Sequence, residues 1–177
     1  NSLHPVDTYC SDDYFGFLEN HEGQWNEEPA VNHSMNVSVG RIPVKRAEEM
    51  SDVVDKIIRY ESSLTLQGAW QKEIVFVADD GDGSLHQDDA DQLAESIDND
   101  HSEFDVSKIY LDQYPQISRP AGTISPETNE AILKSINKGV LILNYTGHGG
   151  ARLLAQEKIF DDLMIEKLEN KRLPLMI

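Results

Sequence analysis

From residue 73 onward the chain repeats one pattern, an apolar run followed by a stretch of helical periodicity. That alternation limits the fold more than any other feature of the sequence. "EIVFVA" (73–78), "KIYLD" (108–112) and "VLILNY" (140–145) each have the length and composition of a buried strand, and "LPLMI" (173–177) starts a fourth. Between them Ala90, Leu93, Ala94 and Ile97 mark one helix. Ala131, Ile132 and Ile136 mark the next, introduced by Ser125 as N-cap and Pro126 in the first turn and closed by Gly139. A further helix is expected over 159–169. Strands alternating with helices imply an α/β fold with a mainly parallel sheet covered on both faces. Right-handed crossovers then set the carboxyl ends of the strands along one edge, where ligands and chemistry collect in open sheets.

The first part of the chain is less regular. "YFGFL" (14–18) reads as a short strand or hairpin arm, and the alternating "NVSVGRIPV" (36–44) as a strand that ends at Pro43. Met50, Val53, Val54, Ile57 and Ile58 recur at helical spacing and predict an amphipathic helix over 46–61. The expected division is therefore a first subdomain segment, 1–68, and a βαβ unit, 69–177.

Charge narrows the class of partner. The chain carries 15 Lys and Arg against 32 Asp and Glu, a net charge of −17. This excludes nucleic acid, whose binding rests on neutralising phosphates, and disfavours anionic membrane surfaces. No apolar run approaches the roughly 20 residues that span a bilayer, and no signal peptide is visible. The expectation is either an intracellular protein or an internal piece of a longer one. Cys10 is the sole cysteine, so an internal disulfide and a cysteine-based metal site are both excluded. Its acidic setting, "DTYCSDD", disfavours a reactive thiolate and marks it as incidental.

The chemistry-bearing stretch is Thr146-Gly147-His148-Gly149-Gly150, at the carboxyl end of the third strand. Asp79 and Asp80 leave the carboxyl end of the first, so topology brings them to the same edge. An imidazole and a carboxylate there make a base and its orienter. The N–H of Gly149, beside the histidine, can point at a developing oxyanion without steric obstruction. A nucleophile is missing. Gly-His-Gly is also compatible with a plain tight turn, and the acid-rich 79–105 stretch with a solvated face. Asp80-Gly81-Asp82-Gly83-Ser84 resembles the start of haloacid-dehalogenase phosphatases, which would use Asp80 and Asp82 with magnesium. It resembles a calcium loop as well, but Leu85 stands where that loop needs glycine. His4, His21, His33, His86 and His101 sit in polar surroundings without metal-ligand spacing, so neither a metal site nor a cofactor is expected.

"VLILNYTGHGG" strongly resembles the histidine motif of gingipain-type cysteine peptidases. "DDYFGFLE", "VSVGRIPV" and a helix ending in "IIRYE" are similar to that family's segments in the same order. The resemblance implies a caspase-like three-layer sandwich with a mainly parallel sheet, truncated before the catalytic cysteine, which in the family follows a strand like "NKRLPLMI". It makes His148 the catalytic histidine, Gly149 an oxyanion-hole donor and Asp80 the nearby acid. Two departures stand out: no acid around Ser84–Asp88 matches the pocket residue that selects a basic side chain, and Leu153 and Leu154 replace a tryptophan. "GHGGARLLAQEKI" is most similar to the family's surface sortases of the type IX secretion system. That implies polypeptide substrates bearing C-terminal secretion signals, other type IX components as partners, and the outer membrane or cell surface of a Gram-negative bacterium. A chain without its cysteine half is expected to be inactive and to self-associate. The other class left open is a non-catalytic caspase-like binding scaffold.

Overall fold

A computed structural model describes residues 12–19, 34–62 and 67–177. The chain divides into two compact units, Asn1–Ile57 and Ile58–Ile177. Cys10, His4, His21 and His33 lie outside the described residues.

In the first unit the two expected strands are absent. Asp13–Gly16 is a 3-10 helix, and 36–44 has no strand pairing. The backbone N–H groups of Asn36 and Val37 both donate to Gly16 O, at 2.9 and 3.4 Å, and Leu18 N–H donates to Asn36 Oδ1 at 2.8 Å. Alternation in "NVSVGRIPV" buries little: Val37 is 46% exposed and Ile42 39%. Without a face to cover, period-two patterning does not make a strand. The predicted helix is present as α1 (Ala47–Ser62), which runs across the boundary between the units and buries no residue.

The second unit follows the alternation. Strand β1 (Glu73–Ala78) leads to α2 (Leu85–Asp100), then β2 (Asp105–Tyr110), α3 (Pro126–Lys138) and β3 (Ile142–Thr146). A two-residue hairpin, β4 (Leu153–Leu154) and β5 (Phe160–Asp161), comes next, then α4 (Asp162–Ile165) and β6 (Leu175–Met176). The main sheet has the order β2-β1-β3-β6 with every pair parallel. β1 is its spine. Val75 and Val77 point to a core shared with Ile132 and Ile136 of α3, while Ile74, Phe76 and Ala78 point to one shared with Ala90 and Ala94 of α2. Burial on both faces explains why "EIVFVA" is continuously apolar instead of alternating. Helix, sheet and helix make the three layers.

Three local expectations need correction. Leu93, expected on the buried stripe of α2, is 52% exposed; Ala90 and Ala94 are the buried residues of α2, with Ile97 partly buried against the same core. The expected helix over 159–169 shrinks to α4. Phe160 is used to pair with Leu154, and Asp161 Oδ1 accepts Met164 N–H at 3.0 Å, which starts the helix later. The following residues close through tighter bonds, Lys167 N–H to Met164 O and Leu168 N–H to Ile165 O. Ser125 occupies the N-cap of α3, but its hydroxyl meets Thr128 Oγ1 at 2.7 Å and donates to Pro115 O at 3.1 Å rather than capping a backbone N–H.

The two sides of this packing predict opposite sensitivities. Leu143→Ala, at a position 1% exposed, should lower unfolding free energy by about 3 kcal/mol in urea titration. Leu93→Ala should change it by less than about 0.5 kcal/mol. Equal losses would mean that α2 packs through Leu93 after all.

Candidate active site

β1 ends at Ala78 and β3 at Thr146, in register with each other, so the residues that follow leave the sheet side by side. Asp79 is the first residue past β1. It is buried, 2% exposed, and its carboxylate is tied down by groups from both strand ends. Oδ2 accepts the backbone N–H of His148 at 2.6 Å and faces the imidazole Nδ1 at 3.1 Å. Oδ1 accepts the N–H of Gly81 at 3.2 Å, and Tyr145 Oη lies 3.5 Å from Oδ2. With Asp79 accepting from Nδ1, the network assigns the proton-free nitrogen of neutral His148 to Nε2. The His148 side chain is 48% exposed, so that nitrogen is reachable.

Glycine makes the approach possible at one position above all. A Cβ on Gly147 would stand 2.5 Å from Tyr145 Oη and 2.7 Å from both Cγ and Oδ2 of Asp79. No other residue type leaves room for the carboxylate to reach the histidine. The exposed His148 and Gly149 then turn into the small hairpin, where Ala155 N–H donates to His148 O at 2.9 Å and Gly150 N–H to Leu153 O at 2.8 Å. Tyr145 Oη also donates to His148 O, at 2.7 Å. The antiparallel bridge pairs Gly149 with Leu154, and these two backbone bonds flank it. The N–H of Gly149 therefore points away from β4.

The carboxylate beside His148 is Asp79, and the expectation of Asp80 in that place is corrected. Side chains leave a strand on alternate faces, and Asp80 turns outward to accept a hydrogen bond from Gln116 Nε2 at 2.6 Å. Asp82 does reach the site: its Oδ2 lies 3.4 Å from His148 Nε2 and 3.5 Å from His86 Nε2. Asp80 and Asp82 thus have different partners, Gln116 for the first and the two imidazoles for the second. The sequence reading missed His86. It sits in the first turn of α2, and its ring meets that of His148 edge to face with centroids 4.8 Å apart. The signal was topological, since the start of α2 faces the same sheet edge as Asp79.

Burial and the neighbouring Asp79 charge push the Tyr145 phenol well above its usual range, so it stays a neutral donor. Glu157 lines an open recess of about 450 Å³ together with Ile124, Leu133 and Met164. Burial, opposed by a backbone hydrogen bond and reinforced by the charges of Asp80 and Asp79, raises its carboxyl above the ordinary range.

Two outcomes follow for the folded chain. Asp79→Asn removes a buried charge that three donors satisfy and should cost about 2 kcal/mol. His148→Ala, at a half-exposed side chain, should cost less than about 1 kcal/mol. Denaturant titrations giving the reverse order would show that Asp79 does not hold this edge together. Because its folded carboxyl binds a proton more tightly than the unfolded one, Glu157 favours the folded state at low pH, and this is lost as pH rises through the raised value. Glu157→Gln should therefore stabilise the chain at neutral pH, with the gain fading on acidification. A pH-independent effect would contradict the raised carboxyl.

Comparison with known proteins gives the family. The family model described as peptidase family C25 matches residues 1–177. Gingipain R2 of Porphyromonas gingivalis is 26% identical over 119 residues, covering 66% of this chain and 15% of that protein. Gingipain R1 of Porphyromonas gingivalis is likewise 26% identical over 119 residues, with 66% of this chain and 11% of that protein covered. The chain thus spans a small part of the length of these relatives. The crystal structure of the Arg-specific cysteine proteinase gingipain R superposes with a TM-score of 0.64 at 20% identity, over 94% of this chain and 34% of that one. The fold is that of the caspase-like gingipains, and the chain belongs to peptidase family C25.

Proposed function

We propose that in the complete protein His148 is the general base and acid of a Cys-His peptidase centre, with Asp79 as its orienter and Gly149 as oxyanion donor. One observation carries the reading: a buried carboxylate fixes Nδ1 of an exposed imidazole whose Nε2 is left reachable at the carboxyl edge of the sheet. Nε2 takes the proton of a cysteine thiol, the thiolate attacks the scissile carbonyl, and imidazolium returns the proton to the leaving amine. The N–H of Gly149 stabilises the tetrahedral oxyanion. Asp79 takes over the role that family resemblance gave to Asp80. Cys10, the sole cysteine of these 177 residues, precedes the histidine motif, whereas the family resemblance puts the thiol after a strand like "NKRLPLMI". On this reading the chain by itself has no peptidase activity.

Within the family we favour a sortase of the PorU type. It would act on proteins with C-terminal secretion signals at the outer surface of a Gram-negative cell, alongside other type IX components. "GHGGARLLAQEKI" supports this, and so does Leu153–Leu154 in place of a tryptophan. Those leucines form β4, directly beside Gly149, so the substitution reshapes the wall next to the reacting carbonyl. A sortase passes its acyl group to an amine, whereas a plain peptidase passes it to water.

The test uses the full-length protein and a peptide substrate, with and without an added amine acceptor. His148→Ala should lower kcat/KM by at least about 10³-fold, and Asp79→Asn by about 10²-fold or more. Asp80→Asn should stay within about threefold of the parent, because Asp80 does not touch the imidazole. Loss with Asp80→Asn but not with Asp79→Asn would overturn the assignment. Hydrolysis that no amine can intercept would leave the peptidase and remove the sortase.

A further inference from the structure

The catalytic reading uses one of the two histidines at this edge and leaves the other without a task. His86 Nε2 is buried and makes no hydrogen bond. A buried polar atom without a partner costs about 1–3 kcal/mol, so its retention points to a partner that protein atoms do not supply. The closest carboxylate oxygens are Asp82 Oδ2 at 3.5 Å and Asp79 Oδ1 at 3.8 Å. Those separations are too long for good hydrogen bonds. The 3.5 Å separation is close to that of two ligands on a single ion, because bonds of about 2.0–2.1 Å in a tetrahedron put neighbouring ligand atoms about 3.3–3.4 Å apart; the 3.8 Å one is longer and would have to shorten.

We propose that Asp79, His86 and His148 form a binding site for a divalent transition-metal ion, zinc by its donor chemistry. One donor atom from each converges so that all lie within 4.8 Å of one another. Asp82 Oδ2, 3.4 Å from His148 Nε2 and 3.5 Å from His86 Nε2, stands where a fourth ligand belongs. Two imidazoles with carboxylate suit zinc, whereas calcium and magnesium select oxygen-only sets. Asp79 is fixed by its hydrogen bonds. His148 and Asp82 are half-exposed, 48% and 58%, and can close onto an ion by side-chain rotation.

The connecting loop has an unusual backbone. Asp82, Gly83 and Ser84 all adopt left-handed backbone, with φ of 53°, 65° and 75°. Two of the three are not glycine, at a cost of about 1 kcal/mol or more each. This turn sets Asp82 against both rings and starts α2 so that His86 returns to the sheet edge. The chain's net charge of −17 adds a general attraction for cations.

Zinc bound here occupies His148 and removes it as a base, so metal occupancy and proton transfer exclude one another. That consequence rests on the peptidase reading; metal binding does not. The first measurement is therefore binding to the 177-residue chain, by calorimetry with zinc chloride and by the visible spectrum of added cobalt(II). The expected result is one ion per chain, intense tetrahedral cobalt bands, and affinity weakened more than about tenfold by His86→Gln. Ring NMR resonances give a check that needs no variant. Zinc should move those of His86 and His148 together and spare His101, which is paired with Glu103 elsewhere. No saturable binding, affinity indifferent to His86→Gln, or equal movement of His101 would overturn the site. In the full-length enzyme, zinc should inhibit turnover and His86→Gln should relieve that inhibition. Turnover indifferent to zinc, despite measured binding, would overturn the exclusion. Absence of any turnover would count against the peptidase reading and leave the binding result standing.

Discussion

A carboxylate buried at the end of a strand is costly unless every lone pair finds a donor, and the edge of this sheet is built around meeting that requirement for Asp79. An ionised group removed from water without partners costs several kcal/mol. Here the donors come from Gly81 and from the backbone and ring of His148. Gly81 follows the end of β1, and His148 follows the end of β3. The parallel register of the two strands is therefore what satisfies the charge. Gly147 belongs to the same constraint, because only a residue without Cβ lets the two strand ends come this close.

The second unit was legible because its code is redundant. In β1, length, β-branching and apolar continuity all agree, and both faces are in fact covered. α3 had an N-terminal proline and a C-terminal glycine, and Gly139 does close it, at φ 100°. Illegible stretches were those where pattern and tertiary context disagree. "NVSVGRIPV" alternates with no partner strand to pair with. Residues 159–161 carry helical spacing but are taken by a two-residue hairpin, a unit too short to leave a periodic trace. Leu93 fits the helical stripe, yet small Ala90 and Ala94 bring α2 so close that the leucine is left outside.

The place of the candidate site was legible, but the acid beside the histidine was not. Topology and motif together indicated the edge, the histidine and a neighbouring acid, but they could not choose between Asp79 and Asp80. That choice depends on which face of the chain each side chain takes after β1 ends, and nothing in "DDGDGS" encodes it. His86 was invisible for a different reason. Its position depends on three successive left-handed residues, a conformation that Asp82 and Ser84 do not advertise. Family resemblance pointed to His148 and Gly149, and local geometry shows which groups contact them.

The carbonyl of His148 receives two hydrogen bonds, one from the Tyr145 hydroxyl and one from Ala155 N–H. That oxygen and the N–H of Gly149 belong to one planar trans peptide and point in opposite directions. Clamping one end therefore aims the other. The side chain of Tyr145 and the short turn after β4 act together as a vice on a single amide. Whatever negative charge collects on the far side of that amide meets a dipole whose direction was set during folding, not during binding.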